Sequence, residues 1–265
     1  MSSEDIKPIL DRWPLSEGHN VRKIIGDDGV ERIQIRVCID TYHGILQFDC
    51  DGRPDGQRPH GCEFALDYFA QLRDRSRRGA AEFHLDEQDC VELLAESHQI
   101  YQRYVLLLQV GDYPRVIRDT ERNMHLFRFV RRHAGREEDR NQLERWWPYI
   151  IRIHHTAKAL QAMGADDYAA AAAEVATARR WIGELDELDD ETFQVERKRS
   201  LEALGDLDEQ IRRERPMTEI EQLELDKEEA VRNEDYLRAA ALRDQIQALR
   251  AAHRKSAPPA RDAGE

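Results

Sequence analysis

At 265 residues, with 35% charged and 7% aromatic side chains, the chain has room for two domains or one elongated helical array, but little material for a large compact core. Its formal net charge of -13 argues against direct capture of nucleic acid through bulk electrostatics. No apolar run approaches the ~18 residues of a membrane span, which excludes that class of helix.

Residues 1–20 read as an irregular lead-in, with Trp13-Pro14 as an anchor that could cover an edge of the strands after it. Val21 to Ile25, the turn Gly26-Asp27-Asp28-Gly29, and Val30 to Asp40 carry a hairpin signal. In the second run Ile33, Ile35, Val37 and Ile39 alternate with Arg32, Gln34, Arg36 and Cys38, giving one apolar face. A third run, Ile45 to Cys50, puts Leu46, Phe48 and Cys50 on one side and completes an antiparallel meander. The loop from Asp51 to Gly61 comes next, rich in Gly and Pro. It fails as an EF-hand, because Arg53, Pro54 and His60 stand where a ligand, the glycine and the glutamate belong. Arg53, Asp55, Arg58 and His60 are its candidate ligand groups; the alternative is that these side chains bond the loop's own backbone. A helix from Glu63 to about Arg75 then offers Phe64, Leu66, Tyr68, Phe69 and Leu72 to the sheet, closing a small α+β module over 1–80.

From Asp86 the pattern is helical. Asp86 caps a helix bearing Val91, Leu94, Ile100, Tyr101, Tyr104, Val105 and Leu108, which ends at Gly111-Asp112. Tyr113-Pro114 opens the next, with Val116, Ile117, Met124, Phe127 and Val130. A third, about Asp139 to Met163, carries Leu143, Trp146, Trp147, Ile150, Ile153 and Leu160, and Pro148 predicts a kink or a break after Trp147. Gly164 ends it, and Asp167-Tyr168 opens an alanine-rich helix to about Leu185. Two helix-turn-helix units thus stand one after the other, each with an Asp-Tyr turn. The arrangement resembles tetratricopeptide repeats loosely, since the turns lie 55 residues apart instead of the usual ~34. Asp189 to Arg215 reads as a further helix with Phe193, Leu201, Leu204, Leu207 and Ile211 as its stripe, a plausible arm for the segment beyond, and 86–215 as a helical-hairpin array.

The most legible stretch is 216–252. Ile220, Leu223, Lys227 and Ala230, then Ala239, Leu242, Ile246 and Leu249, are each spaced three, four, three, so each set lines one side of a helix. Folded at Asn233-Glu234-Asp235 they meet rung by rung as an antiparallel hairpin, with Thr218 and Glu221 as a capping box. Lys227 is expected to lay its stem along the seam and reach water, Asp226 or Asp244. Counting Val231, six larger apolar side chains bury too little surface to order some thirty-five residues comfortably. The hairpin therefore predicts a further contact, for which Leu225, Tyr236 and Leu237, about half a turn off the seam or at the turn, are the candidate surface, with Arg243 and Asp244 beside them. Residues 253–265 read as a disordered tail.

The run Lys227-x-x-Ala230-Val231, with Asp235-Tyr236-x-x-Ala239-Ala240-x-Leu242-Arg243-Asp244-x-Ile246-x-x-Leu249, resembles the UVR (UvrB/UvrC) motif. That motif occurs in bacterial excision-repair nuclease subunits and in some Clp-type ATPases and their regulators. The resemblance implies a protein-protein contact module in a bacterial chain, with excinuclease or Clp-type components, or a second copy, as partners.

Chemistry is sparse elsewhere. There is no nucleophile elbow, phosphate loop or HExxH. His154 and His155 point about 100° apart on a helix, so one is expected in the core and one in solvent, with no metal between them. Cys38, Cys50, Cys62 and Cys90 form no CxxC pair, and reduced thiols in the cytoplasm are expected. Arginine groups at 73, 75, 77 and 78, and at 128, 131, 132 and 136, could meet phosphate or simply be solvated faces; those at 212, 213 and 215 complement a helix end. The expectation is an α+β, mostly α chain that acts as an interaction adaptor and not an enzyme, with no metal, cofactor or membrane partner. Two alternatives stand beside it: an excision-repair accessory factor, and a ligand sensor or enzyme using the 51–61 loop.

Overall fold

The computed structural model describes residues 5–16, 18, 20–40, 42–78 and 82–256. The chain divides into two compact units, Met1–Arg212 and Arg213–Glu265. The first is an α+β unit, mostly helical; the second is a helical hairpin. Among the described residues no helix is long and apolar enough to cross a membrane.

The lead-in holds a short helix, α1 (Lys7–Arg12), started by Pro8 in its first turn, where an irregular segment is expected. Strands β1 (Val21–Ile25), β2 (Glu31–Ile39) and β3 (Tyr42–Asp49) form an antiparallel sheet in that order. Val21 pairs with Ile35, and Ile35 with Leu46. Only part of the apolar face is covered. Ile33 and Cys50 are fully buried, whereas Leu46 is 51% and Ile39 67% exposed. The other face is not simply solvated: Arg22 donates to Gln34 (3.0 Å) and Gln34 to Gln47 (2.7 Å), a row of polar bonds across all three strands. Trp13 lies 4.0 Å from the Arg22 guanidinium and does act as the anchor expected.

Helix α2 (Ala65–Arg78) packs Leu66 and Phe69 into the helical core, not onto the sheet; Phe64, one residue before it, meets Ile33 and Cys50. Helices α3 (Glu87–Gln109) and α4 (Tyr113–His133) form one antiparallel pair, and α6 (Trp147–Met163) and α7 (Tyr168–Gly183) another. Asp86 caps α3 in a reciprocal box with Asp89. The buried row of α3 is Cys90, Leu93, Ser97, Ile100, Tyr104 and Leu107, so Val91 and Tyr101 face outward. Between the pairs lies α5 (Glu137–Glu144); the chain breaks at Arg145-Trp146, and Pro148 sits in the first turn of α6. Helix α8 (Glu191–Glu214) is no projecting arm over its length, because Phe193, Ser200, Leu204, Leu207 and Ile211 are all buried.

The second arginine group is largely engaged internally. Arg131 pairs with Glu144 and Asp186, Arg136 with Asp139 and Glu87, and Arg128 lies over Trp147.

Neither histidine of the 154-155 pair faces solvent, contrary to expectation. Both are buried: His154 shares a 2.9 Å hydrogen bond with Thr120, and His155 one of 2.7 Å with Glu174 while its ring meets Trp181 edge-on. Burial, helped by the nearby Lys158 ammonium, drops the His154 pKa from 6.5 to about 3, and burial lowers that of His155. A depressed histidine stabilises the fold above the unfolded value, and that contribution is lost as pH falls below 6.5, where only the unfolded chain takes up the proton. Stability should thus decline between pH 6.5 and 5 by up to about 1.4 kcal/mol per pH unit for His154. Urea titrations across that window check this, and His154→Gln should flatten the slope by about one proton.

Candidate functional site

The second unit consists of α9 (Glu219–Arg232) and α10 (Tyr236–Ser256), packed against each other as an antiparallel hairpin. Helix α10 continues four residues past the hairpin end expected at Ala252; 257–265, the rest of the expected tail, lie outside the described residues. Thr218 caps α9: its hydroxyl accepts from the Glu221 N–H (3.2 Å), and Glu221 accepts from the Thr218 N–H (2.8 Å). That N–H, with Arg215, holds the Glu221 carboxyl down at about 2.

The seam is the predicted one. Ala230, Ala239 and Ile246 are buried, and Ile220, Leu223, Lys227, Leu242 and Leu249 are half-buried. The small Ala230 and Ala239 stand beside the turn. Lys227 pairs with neither carboxylate suggested for it: Asp226 accepts from Gln222, and Asp244 from Arg243 (2.8 Å).

The turn itself repeats. The N–H of Asp235 bonds the carbonyl of Ala230 (2.9 Å) and that of Glu234 bonds Val231 (3.1 Å), with Glu234 at φ 60. The same two bonds link Asp112 to Leu107 and Gly111 to Leu108, and Asp167 to Ala162 and Asp166 to Met163. Each is a Schellman closure whose left-handed residue is Gly111, Asp166 or Glu234. The helix expected to stop at Gly164 therefore makes its left-handed turn two residues later, at Asp166. Asp167 and Asp235 then cap the following helix through their side chains, whereas the Asp112 carboxylate goes to Lys23 and Arg115.

The outer surface of the hairpin exposes large apolar side chains. Leu237 is 88% exposed, Tyr236 67%, Val231 49% and Leu225 43%. Val231, counted as buried from the sequence, is not, because it lies about 100° from Ala230 around α9. Leu225 and Leu237 lie two residues off their seams, about 200° round, so each points away from the opposite helix and they do not share a patch. Tyr236, Arg243 and Arg250 recur every seven residues along one row of α10, as do Glu224 and Val231 on α9. Arg250 and Glu224 form an ion pair across the seam, which shows that the two rows face the same side. Tyr236 and Val231 therefore flank the closed end on one face, with Arg243 one step along, paired to Asp244, while Leu237, about 100° round α10 from Tyr236, lies on the adjoining outer side.

The 51–61 loop is occupied by its own contacts. Arg53 bonds Asp55 (2.9 Å) and Glu96 (3.2 Å), and Glu96, fully buried, accepts from the first N–H groups of α2 at Ala65 (2.6 Å) and Leu66 (3.2 Å). Burial pushes the Glu96 carboxyl up in spite of those donors. Ring stacking at 4.0 Å ties His60 to Tyr68, and its Nε2 lies 3.1 Å from Glu92; Arg58 is exposed. Asp51, held down at about 2 by Arg115 and Arg118, joins the loop to α4. Beneath it the buried Arg103 bonds Asp119 twice (2.7 and 2.8 Å) and the carbonyls of Asp49 (2.9 Å) and Gly52 (2.6 Å). The loop is thus fastened to α3 and α4 mainly by side chains of those helices; of the expected side-chain bonds to its own backbone, Asp55 accepts from the Gln57 N–H (3.0 Å). Arg103 and Asp119 escape a hydropathy reading. Their signal is phase: Arg103 falls in step with Ile100 and Leu107, and Asp119 with Val116. Among the described residues no cluster of three His, Cys, Asp or Glu is placed to hold a metal ion.

Comparison with known families gives one match, to the family described as UVR: UvrB/uvrC motif, over residues 218–252. No curated protein matches the chain, and no solved structure does. The match begins at the capping Thr218 and ends on α10, so it covers both helices of the hairpin. The chain carries a UVR motif at residues 218–252, folded as the hairpin α9-α10.

Proposed function

We propose that the chain is an interaction adaptor that uses this hairpin to bind another protein chain, either a distinct partner or a second copy, and performs no catalysis there. The observation that carries the reading is the contrast between seam and surface. Apolar side chains on the inner side are covered by each other, while Tyr236, Leu237 and Val231 at the closed end stand 49 to 88% exposed. On a two-helix unit with so small an interior, such a cluster is out of proportion to ordinary scattered exposure. Its make-up, one tyrosine and two aliphatics rimmed by Arg243 and Asp244, resembles the centre and rim of a protein contact. Tyr236→Ser, Leu237→Ser and Val231→Ser combined should leave helix content unchanged and abolish co-purification of the bound chain. Sedimentation of the isolated protein with and without these changes separates self-association from binding of a different partner. A single undisturbed species in both, with co-purification also undisturbed, would remove the proposal.

A further inference from the structure

A cavity of about 500 Å³ opens in the first unit among α3, α4, α6 and α8, within the range of about 300–1,000 Å³ usual for small-molecule sites. Its walls are aromatic. Tyr101 meets Tyr104 edge-on at 5.6 Å and Tyr149 at 5.8 Å, and Tyr149 meets Trp146 edge-on at 6.4 Å, so the rings splay around the space instead of filling it. Tyr101 and Trp146 remain 37% and 39% exposed, although both are large and lie beside a core.

Besides His98, whose ring lies 5.7 Å from that of Tyr101, the lining offers two acceptor groups. Asn123, 1% exposed, donates through Nδ2 to the Ser97 carbonyl (3.0 Å), which fixes the amide; its Oδ1 is buried with no partner. An unpaired buried carbonyl oxygen is costly and calls for a donor. Glu196 brings a carboxylate, 12% exposed and shared only with the outward-facing Arg199 (3.2 Å). No lysine or arginine lines the space. Burial pushes the Tyr104 and Tyr149 phenols up, so both rings stay neutral and keep their electron-rich faces. One instance of the implied attraction is already present, since the Arg152 guanidinium sits 4.9 Å from the Tyr149 ring.

We infer that this cavity is a binding site for a small organic ammonium ion, a protonated amine on an apolar carrier. The aromatic faces and Glu196 receive the charge, the apolar walls receive the carrier, and Asn123 Oδ1 accepts an N–H. An anion would meet Glu196 in a chain of net charge -13, and a neutral apolar ligand would leave Oδ1 unsatisfied.

The test is calorimetric titration of the full chain with phenethylamine and its neutral isostere 2-phenylethanol. Phenethylamine should bind at least about tenfold more tightly than the alcohol, the gain expected from a cation over π faces with one charge-assisted hydrogen bond. Glu196→Gln, at a site near the surface, should weaken the amine about tenfold and leave the alcohol unchanged. Trp146→Ala should weaken both. Equal affinity for amine and alcohol would overturn the inference in favour of a merely apolar slot, and absence of heat with either probe would overturn it in favour of a hydrated gap.

Discussion

Ile246→Ala is expected to unfold the C-terminal hairpin. Ile246 is the largest side chain buried in its seam, and the positions around it in the seam are half-buried or alanine. Truncating a buried isoleucine to alanine costs about 2–5 kcal/mol through lost transfer energy and the void left behind, which is comparable to all that so small a core supplies. Amide exchange across residues 219–256 should rise to unprotected rates, with a matching fall in helical ellipticity. Leu225→Ala, on the outer edge of α9, should leave that protection in place. The pair distinguishes a seam residue from a surface one without reference to any partner.

Arg103→Ala is expected to destabilise the first unit by about 3–5 kcal/mol, because it removes the bidentate partner of the buried Asp119 carboxylate and leaves it only the Oδ1 contact to Arg118 (2.9 Å). The Arg103 and Asp119 side chains are both 1% exposed. The loss goes beyond the pair, since Arg103 also holds the carbonyls of Asp49 and Gly52, the point where β3 passes into the loop. Thermal unfolding should show a midpoint lower by roughly 6–20 °C for a unit of this size. Replacing both partners together with apolar residues of similar shape should cost less than the single change, as the single change leaves Asp119 Oδ2 buried without the Arg103 donor. A single variant as stable as the wild type would mean that Arg118 alone satisfies Asp119 and that the loop is not held from beneath.

How much of the molecule is readable from its sequence depends on the physics of each segment. The hairpin seam is legible residue by residue, since both helices carry an unbroken three-four-three stripe and Thr218, Glu221 and Asp235 mark its ends. Strand positions and their order are legible from alternation and from the Gly-Asp turn. The inward face of α3 is misread because its buried row contains Ser97 and Cys90, flanked by the buried Glu96 and Arg103, while Val91 and Tyr101 look outward. Hydropathy tracks side-chain chemistry, and here charged groups are buried by pairing across the tertiary fold. The same holds for His154 and His155, whose partners Thr120 and Glu174 come from α4 and α7. Helix α1 is missed for a different reason: six residues give too little periodicity to register. Of the residues expected at the hairpin's outer surface, Tyr236 and Leu237 are exposed, but Leu225 is grouped with them although it points the other way, and Val231 is counted as buried although it is 49% exposed.

The most direct measurement of the adaptor reading is the affinity of the chain for whatever it retains on purification, a second copy or another protein, titrated against the Val231, Tyr236 and Leu237 triple serine variant. The account predicts binding weakened by at least about a hundredfold, as expected for loss of central apolar anchors, with exchange protection across 219–256 unchanged. Retention of full affinity by a variant whose hairpin is still protected would contradict it.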